Sequence, residues 1–182
     1  SVTGLSGLQA STVAALSITQ LSALSNTQLA SLSSSAMSGL TAPQLAGLSN
    51  TQFAAFTPNE LSGLTTTQVQ SLTGARVAGL TTTQLTGLKP TSLAALTAAQ
   101  LGSLSTTQLG VLSRAQIAGL DSTQVSALSL AQLGSLALTQ ISALSATGVS
   151  VLTAAELSSL SLDQLSALPL AQLGALTATQ GA

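Results

Sequence analysis

The sequence predicts an all-α fold, a solenoid of very short helices with one helix for each eight-residue repeat. Three observations carry that reading. An octapeptide runs through residues 1–182 without insertion or deletion, most units open on a helix-capping pattern, and the prolines fall where a helical first turn tolerates them.

Written in eights from Ser1, residues 1–182 form a single continuous array of 22 full units and a partial one, "TATQGA". The fifth position is always a large apolar residue, and the eighth is Leu in 21 of the 22 units, with Phe56 in the other. The first position is Ser or Thr in 17 units, and Asp121 is a chemical equivalent in another. The fourth is Gln in 14 units and Glu at Glu60 and Glu156, while positions six and seven are mostly Gly, Ala or Ser. Such repetition has to be read before any local motif.

A single long helix fails on geometry. Eight residues advance about 800°, so an apolar stripe would drift by about 80° per unit and no seam would persist. One short helix per unit succeeds. Ser/Thr-x-x-Gln/Glu before an apolar residue is a capping box, in which the hydroxyl accepts from the N3 backbone N–H and the N3 side chain returns to the N–H of the cap residue. The fifth and eighth positions then become N4 and N7, three apart on one helical face. Pro58 and Pro90 fall at N1, Pro43 at N2, and Pro169 at a cap position, all places without an intrahelical N–H bond to lose. The alternative is a β-solenoid. Leu-x-x-Leu does not alternate with period two, and a chain rich in Ala, Leu and Gln but short of β-branched apolar residues favours helix.

A lone unit buries two aliphatic side chains, too little to offset the entropy of ordering its backbone and nucleating a helical turn. Units must therefore stack and share their apolar faces. Small residues at positions six and seven let neighbouring helices approach closely; Gln70, Val111 and Val151 break that rule and are expected at roomier or exposed places. Second-position Leu130, Leu138, Leu162 and Leu170 gather near the C-terminal end and predict either local packing or a lateral contact patch.

Composition excludes several function classes. The charged residues are Arg76, Lys89 and Arg114 against Glu60, Asp121, Glu156 and Asp163, scattered and nearly balanced, so no basic patch for nucleic acid is present. Ser, Thr or Gln returns every few positions, which breaks any membrane span of roughly 18 apolar residues. The opening "SVTGLSGLQA" has neither the charged nor the apolar region of a signal peptide, and without an initiator Met the chain reads as a mature product or a segment of something longer. There is no Cys for a disulfide or thiolate site and no His to activate a serine. No catalytic, cofactor-binding or metal-ligating residue is nominated, and no cofactor is implied. Glu60 and Glu156 read as capping-box acids, Asp121 as a cap, Asp163 as a solvated helix start and Arg76 as an exposed substitution.

Thr recurs at the third position, at Thr19, Thr27, Thr51, Thr67, Thr83, Thr107, Thr123 and Thr139. If units stack in register, these side chains form a file suited to ordering water or to binding ice or a polymer. Otherwise they simply solvate the first turn. Ser and Thr are also acceptors for O-linked glycans.

The units "LTTTQLTGL", "LTAAQLGSL" and "LSTTQLGVL" resemble the Leu-Ser/Thr-x-x-Gln-Leu octapeptide arrays of very large secreted or surface-exposed bacterial proteins, often labelled adhesin-like. The similarity covers essentially the whole chain. It implies an extracellular or cell-surface, non-enzymatic role. Together these readings lead to one expectation: a stalk or fibre element that self-associates, with an ice- or carbohydrate-binding module as the alternative.

Overall fold

The computed structural model describes residues 2–176, with side chains from residue 4 onward. Among them are twenty-two helices, from α1 (Val2–Ser6) to α22 (Leu170–Leu173), one per octapeptide and each four to six residues long. No strand occurs among the described residues, which sets the β-solenoid aside.

Each helix starts where the sequence places it. Thr81 is extended (φ −70°, ψ 158°), its hydroxyl accepts from the Gln84 N–H at 3.1 Å, and its own N–H donates to Gln84 Oε1 at 3.0 Å. That box satisfies two of the donors a helix leaves unpaired at its start. The helix stops at the eighth residue: Leu88 is extended (φ −69°, ψ 129°), and the next cap residue is extended too. Two successive extended residues swing the chain into the next helix. No described residue has positive φ, so the bend needs no left-handed glycine. Pro58 and Pro90 occupy N1, Pro43 N2, and Pro169 an N-cap.

Helices pack on helices three units away, so that α8 (Pro58–Leu61) lies between α5 (Ser34–Met37) and α11 (Thr82–Gly87). Contacts between successive turns join residues 28 to 31 apart, as in Gln44 to Leu16 and Val13, and Ser103 reaches Gly74 across 29. One turn thus takes between three and four octapeptides. The stagger resembles brickwork: the N-terminal half of a helix meets the C-terminal end of the helix four units back, and its C-terminal end meets the start of the helix three units back. At roughly 28–29 residues per turn the described chain makes about six turns.

Both apolar positions line one continuous core. In the central turns the fifth-position Leu85, Leu93, Leu101 and Leu109 are fully buried, as are the eighth-position Leu88, Leu96, Leu104 and Leu112 within a few per cent. In the first turn the eighth-position Leu8, Leu16 and Leu24 are only partly buried; in the last, the fifth-position Leu165 is partly buried and Leu173 exposed. The eighth residue therefore packs toward the preceding turn and the fifth toward the following one. Glycine permits the closest approach. A Cβ on Gly39, Gly63 or Gly87 would sit 2.0, 1.8 or 2.3 Å from the carbonyl oxygen of Ala10, Ser34 or Pro58 one turn below. Gln70, Val111 and Val151, which break the small-residue rule, are exposed as expected.

Candidate functional site: the inter-turn seam and the outer surface

The fourth-position Gln does more than close its capping box. Gln116 is 2 % exposed, and its Oε1 accepts from the Ser113 N–H at 2.8 Å. Its Nε2 donates to the carbonyls of Leu85 at 3.0 Å and Leu88 at 2.9 Å in the turn below. Both protons of the amide are used, and so is its oxygen. An inter-turn pair, one carbonyl 28 residues back and another 30 or 31 back, recurs for Gln44, Gln52, Gln68, Gln84, Gln100, Gln108, Gln124, Gln132, Gln140, Gln164 and Gln172. Carbonyls at a helix C-terminus have no partner within the helix. One amide therefore caps the start of its own helix and the end of a helix in the preceding turn. Gln20 and Gln28, in the first turn, make the box alone.

Departures from Gln show what the seam demands. Ser92, buried, donates its hydroxyl to the Leu64 carbonyl at 3.0 Å, 28 residues back. Arg76 corrects the expectation of an exposed substitution. It is half-buried, donates to the carbonyls of Leu48 at 2.8 Å and Ser49 at 3.2 Å, and lies 4.8 Å above the Phe53 ring. Burial lowers the pKa of its guanidinium. Phe53 itself meets Phe56 edge to face at 5.6 Å, and a ≈ 210 Å³ depression is lined by Asn50, Phe53 and Arg76. Asp121 caps as expected, accepting from the Gln124 N–H at 2.8 Å. Glu60 and Glu156 each accept at 2.6 Å from the N–H of their cap residue, Thr57 and Thr153. Asp163 is exposed in the first turn of its helix. Gln172 carries the one buried polar side-chain atom without a partner among the described residues, its Oε1. The cause is Pro169, a cap residue with no N–H to give.

On the outer surface all eight threonines of the predicted file are exposed. The stagger prevents a straight file of successive turns, because no unit lies squarely over another. Two turns take 56–58 residues, close to seven units. Residues 56 apart therefore share a side: Thr27, Thr83 and Thr139 on one, Thr51 and Thr107 beside them, and Ala75 and Ala131 elsewhere. The second-position Leu130, Leu138, Leu162 and Leu170 point outward, 50, 48, 81 and 87 % exposed, and lie on neighbouring units of two adjacent turns. Among the described residues no three acidic side chains come together, and no helix is long and apolar enough to cross a membrane.

Residues 89–122 match the ALTTAQ repeat family model. The chain matches no curated protein. Within the ALTTAQ match, Ala95 to Gln100 reads ALTAAQ, which runs from the small seventh residue of one unit, through core Leu96 and cap Thr97, to the stapling Gln100. The ALTTAQ segment thus contains both halves of the inter-turn device. A repeat protein with a helical-solenoid fold is compatible with a structural role.

Sequence reasoning found the capping box but missed the staple. A signal was available. An acid at N3 is favoured by the helix dipole and closes the same box, yet Gln outnumbers Glu at this position by 14 to 2. A requirement for N–H donors accounts for that excess.

Proposed function

We propose that this chain is a non-catalytic structural repeat of a bacterial secreted or cell-surface protein, serving as a self-associating stalk or fibre element. The observation that carries the proposal is the recurrence of the inter-turn seam between Gln44 and Gln172: each turn presents carbonyls and fifth-position apolar residues forward, and accepts them from behind mostly with Gln and with eighth-position Leu. A surface that fits the next turn of its own chain also fits a turn of another copy. Resemblance to octapeptide arrays of large surface proteins supports the location and the adhesin-like context. Electron microscopy and sedimentation of purified protein test it. Filaments or end-to-end oligomers are expected; a monomer that persists across concentration contradicts it.

A second reading, an ice- or carbohydrate-binding module, is favoured by the concentration of exposed Thr on some sides of the solenoid and Ala on others. Thermal hysteresis or glycan binding that is lost on replacing Thr83 and Thr139, on the same side, with bulky residues supports it. Absence of both activities in the parent protein excludes it.

A further inference from the structure

We propose that Glu60 is a proton-operated latch between turns: when neutral, its carboxyl O–H donates to a backbone carbonyl of the turn below, and loss of the proton releases that seam. Glu60 stands where the repeat places a stapling Gln. In the units before and after it, Gln52 donates to the carbonyls of Ser22 and Leu24, and Gln68 to those of Met37 and Leu40. The same register, 28 to 31 residues back, sets the Glu60 carboxyl against the carbonyls of Leu29, Ala30 and Leu32. One carboxyl oxygen is already committed as an acceptor, to the Thr57 N–H at 2.6 Å. By the repeat register the other corresponds to Nε2, the atom that in Gln52 and Gln68 is directed at carbonyl acceptors. An oxygen against an oxygen requires a proton between them. Ser92 provides the precedent within this chain, since its hydroxyl donates to Leu64 from the same position across the same 28 residues.

The surroundings favour the protonated form. Glu60 is 4 % exposed. Burial is the largest influence and pushes its carboxyl above the ordinary 4.5, against the backbone and side-chain hydrogen bonds of Thr57, which pull it down. Lys89, the N-cap of α12 (Pro90–Ala94), whose Ser92 reaches Leu64 at the end of the same unit, is exposed to solvent, and burial is not offset by a paired positive charge. The packed helices α5 and α11 carry no titratable side chain, and neither do the neighbouring α4 (Asn26–Leu29) and α7 (Asn50–Ala54). The nearest cation in sequence, Arg76, is engaged with Leu48, Ser49 and Phe53. Glu156 occupies the same repeat position but is half-exposed, so it serves as an internal comparison.

The sign follows from linkage. A carboxyl whose folded pKa is raised gives stability that is complete below the ordinary glutamate range and is lost as pH rises through the folded value. The solenoid is therefore tightened by acid at α8. Thermal unfolding of the full chain between pH 4 and 8, with Glu60→Gln and Glu156→Gln beside the parent, tests this together with a 13C carboxyl titration by NMR. The parent Tm should fall with rising pH, Glu60→Gln should remove that fall and be the more stable protein at neutral pH, and Glu156→Gln should keep the parent profile. The Glu60 carboxyl resonance should titrate above the ordinary range. Parallel Tm profiles for parent and Glu60→Gln, or titration of Glu60 at or below 4.5, overturn the proposal.

Discussion

Replacing Gln116 with Met removes a staple while keeping much of its volume. Three backbone groups then lose their partner: the Ser113 N–H, the Leu85 carbonyl and the Leu88 carbonyl. Their situations differ. Ser113 is exposed, so water can replace the lost acceptor, and the Leu85 carbonyl keeps the Leu88 N–H at 3.2 Å. The Leu88 carbonyl belongs to a residue only 3 % exposed. A net loss of about 0.5–1.5 kcal/mol for each of the first two bonds, with about 1–3 kcal/mol for the Leu88 carbonyl left unsatisfied, gives a total of about 2–6 kcal/mol. Gln20→Met is the control, because Gln20 closes a box but reaches no turn below. Its cost should be about 0.5–2 kcal/mol, that of a lost cap. Because solenoids unfold partly by local steps, urea unfolding followed by circular dichroism should be combined with amide hydrogen exchange around residues 85–88. Equal costs for the two variants, with unchanged exchange at Leu88, would refute the inter-turn role of Gln.

Proline tolerance should follow the unit: Thr66→Pro and Thr82→Pro, both at N1, are expected to be nearly neutral, whereas Ala78→Pro should cost about 3 kcal/mol, as read from melting curves. Glycine should divide by close approach. Gly63→Ala drives a Cβ into the Ser34 carbonyl and should cost about 1–3 kcal/mol, while Gly110→Ala, with nothing within 4 Å, should stabilise by about 0.4–1 kcal/mol in the same melts. Pro169→Ser should restore a partner to Gln172 Oε1 and raise Tm in a thermal scan. Truncating the core at Leu80→Ala should cost about 2–5 kcal/mol in denaturant unfolding, against about 0.5–2 kcal/mol for the cap variant Thr81→Ala.

What was legible in the sequence was whatever one unit decides alone. Cap, N3 partner, proline placement and the two core positions depend on contacts within eight residues, and each appears where the octapeptide puts it. The turn was not legible. Its 28–29 residue length is not a multiple of eight, and it arises from how two extended residues reorient successive helices, which composition does not record. For that reason Gln44 could be read as a box member but not as a donor to Val13 and Leu16. Arg76 was misread for a related cause. Its partners, Leu48, Ser49 and Phe53, lie a turn away and are invisible to local spacing. Gly39, Gly63 and Gly87 looked interchangeable with other small residues until the carbonyl facing each one was known.

The central claim is that the octapeptide helices coil into turns stitched by Gln. The most direct measurement is the set of nuclear Overhauser contacts made by the Gln116 side-chain amide in isotope-labelled protein. The account predicts cross-peaks from its two amide protons to Leu85 and Leu88, separations of 31 and 28 residues, with the equivalent pair Val69 and Leu72 for Gln100, and Ala94 and Leu96, 30 and 28 residues back, for Gln124. Contacts only within its own unit, or at separations that are whole multiples of eight, would contradict it.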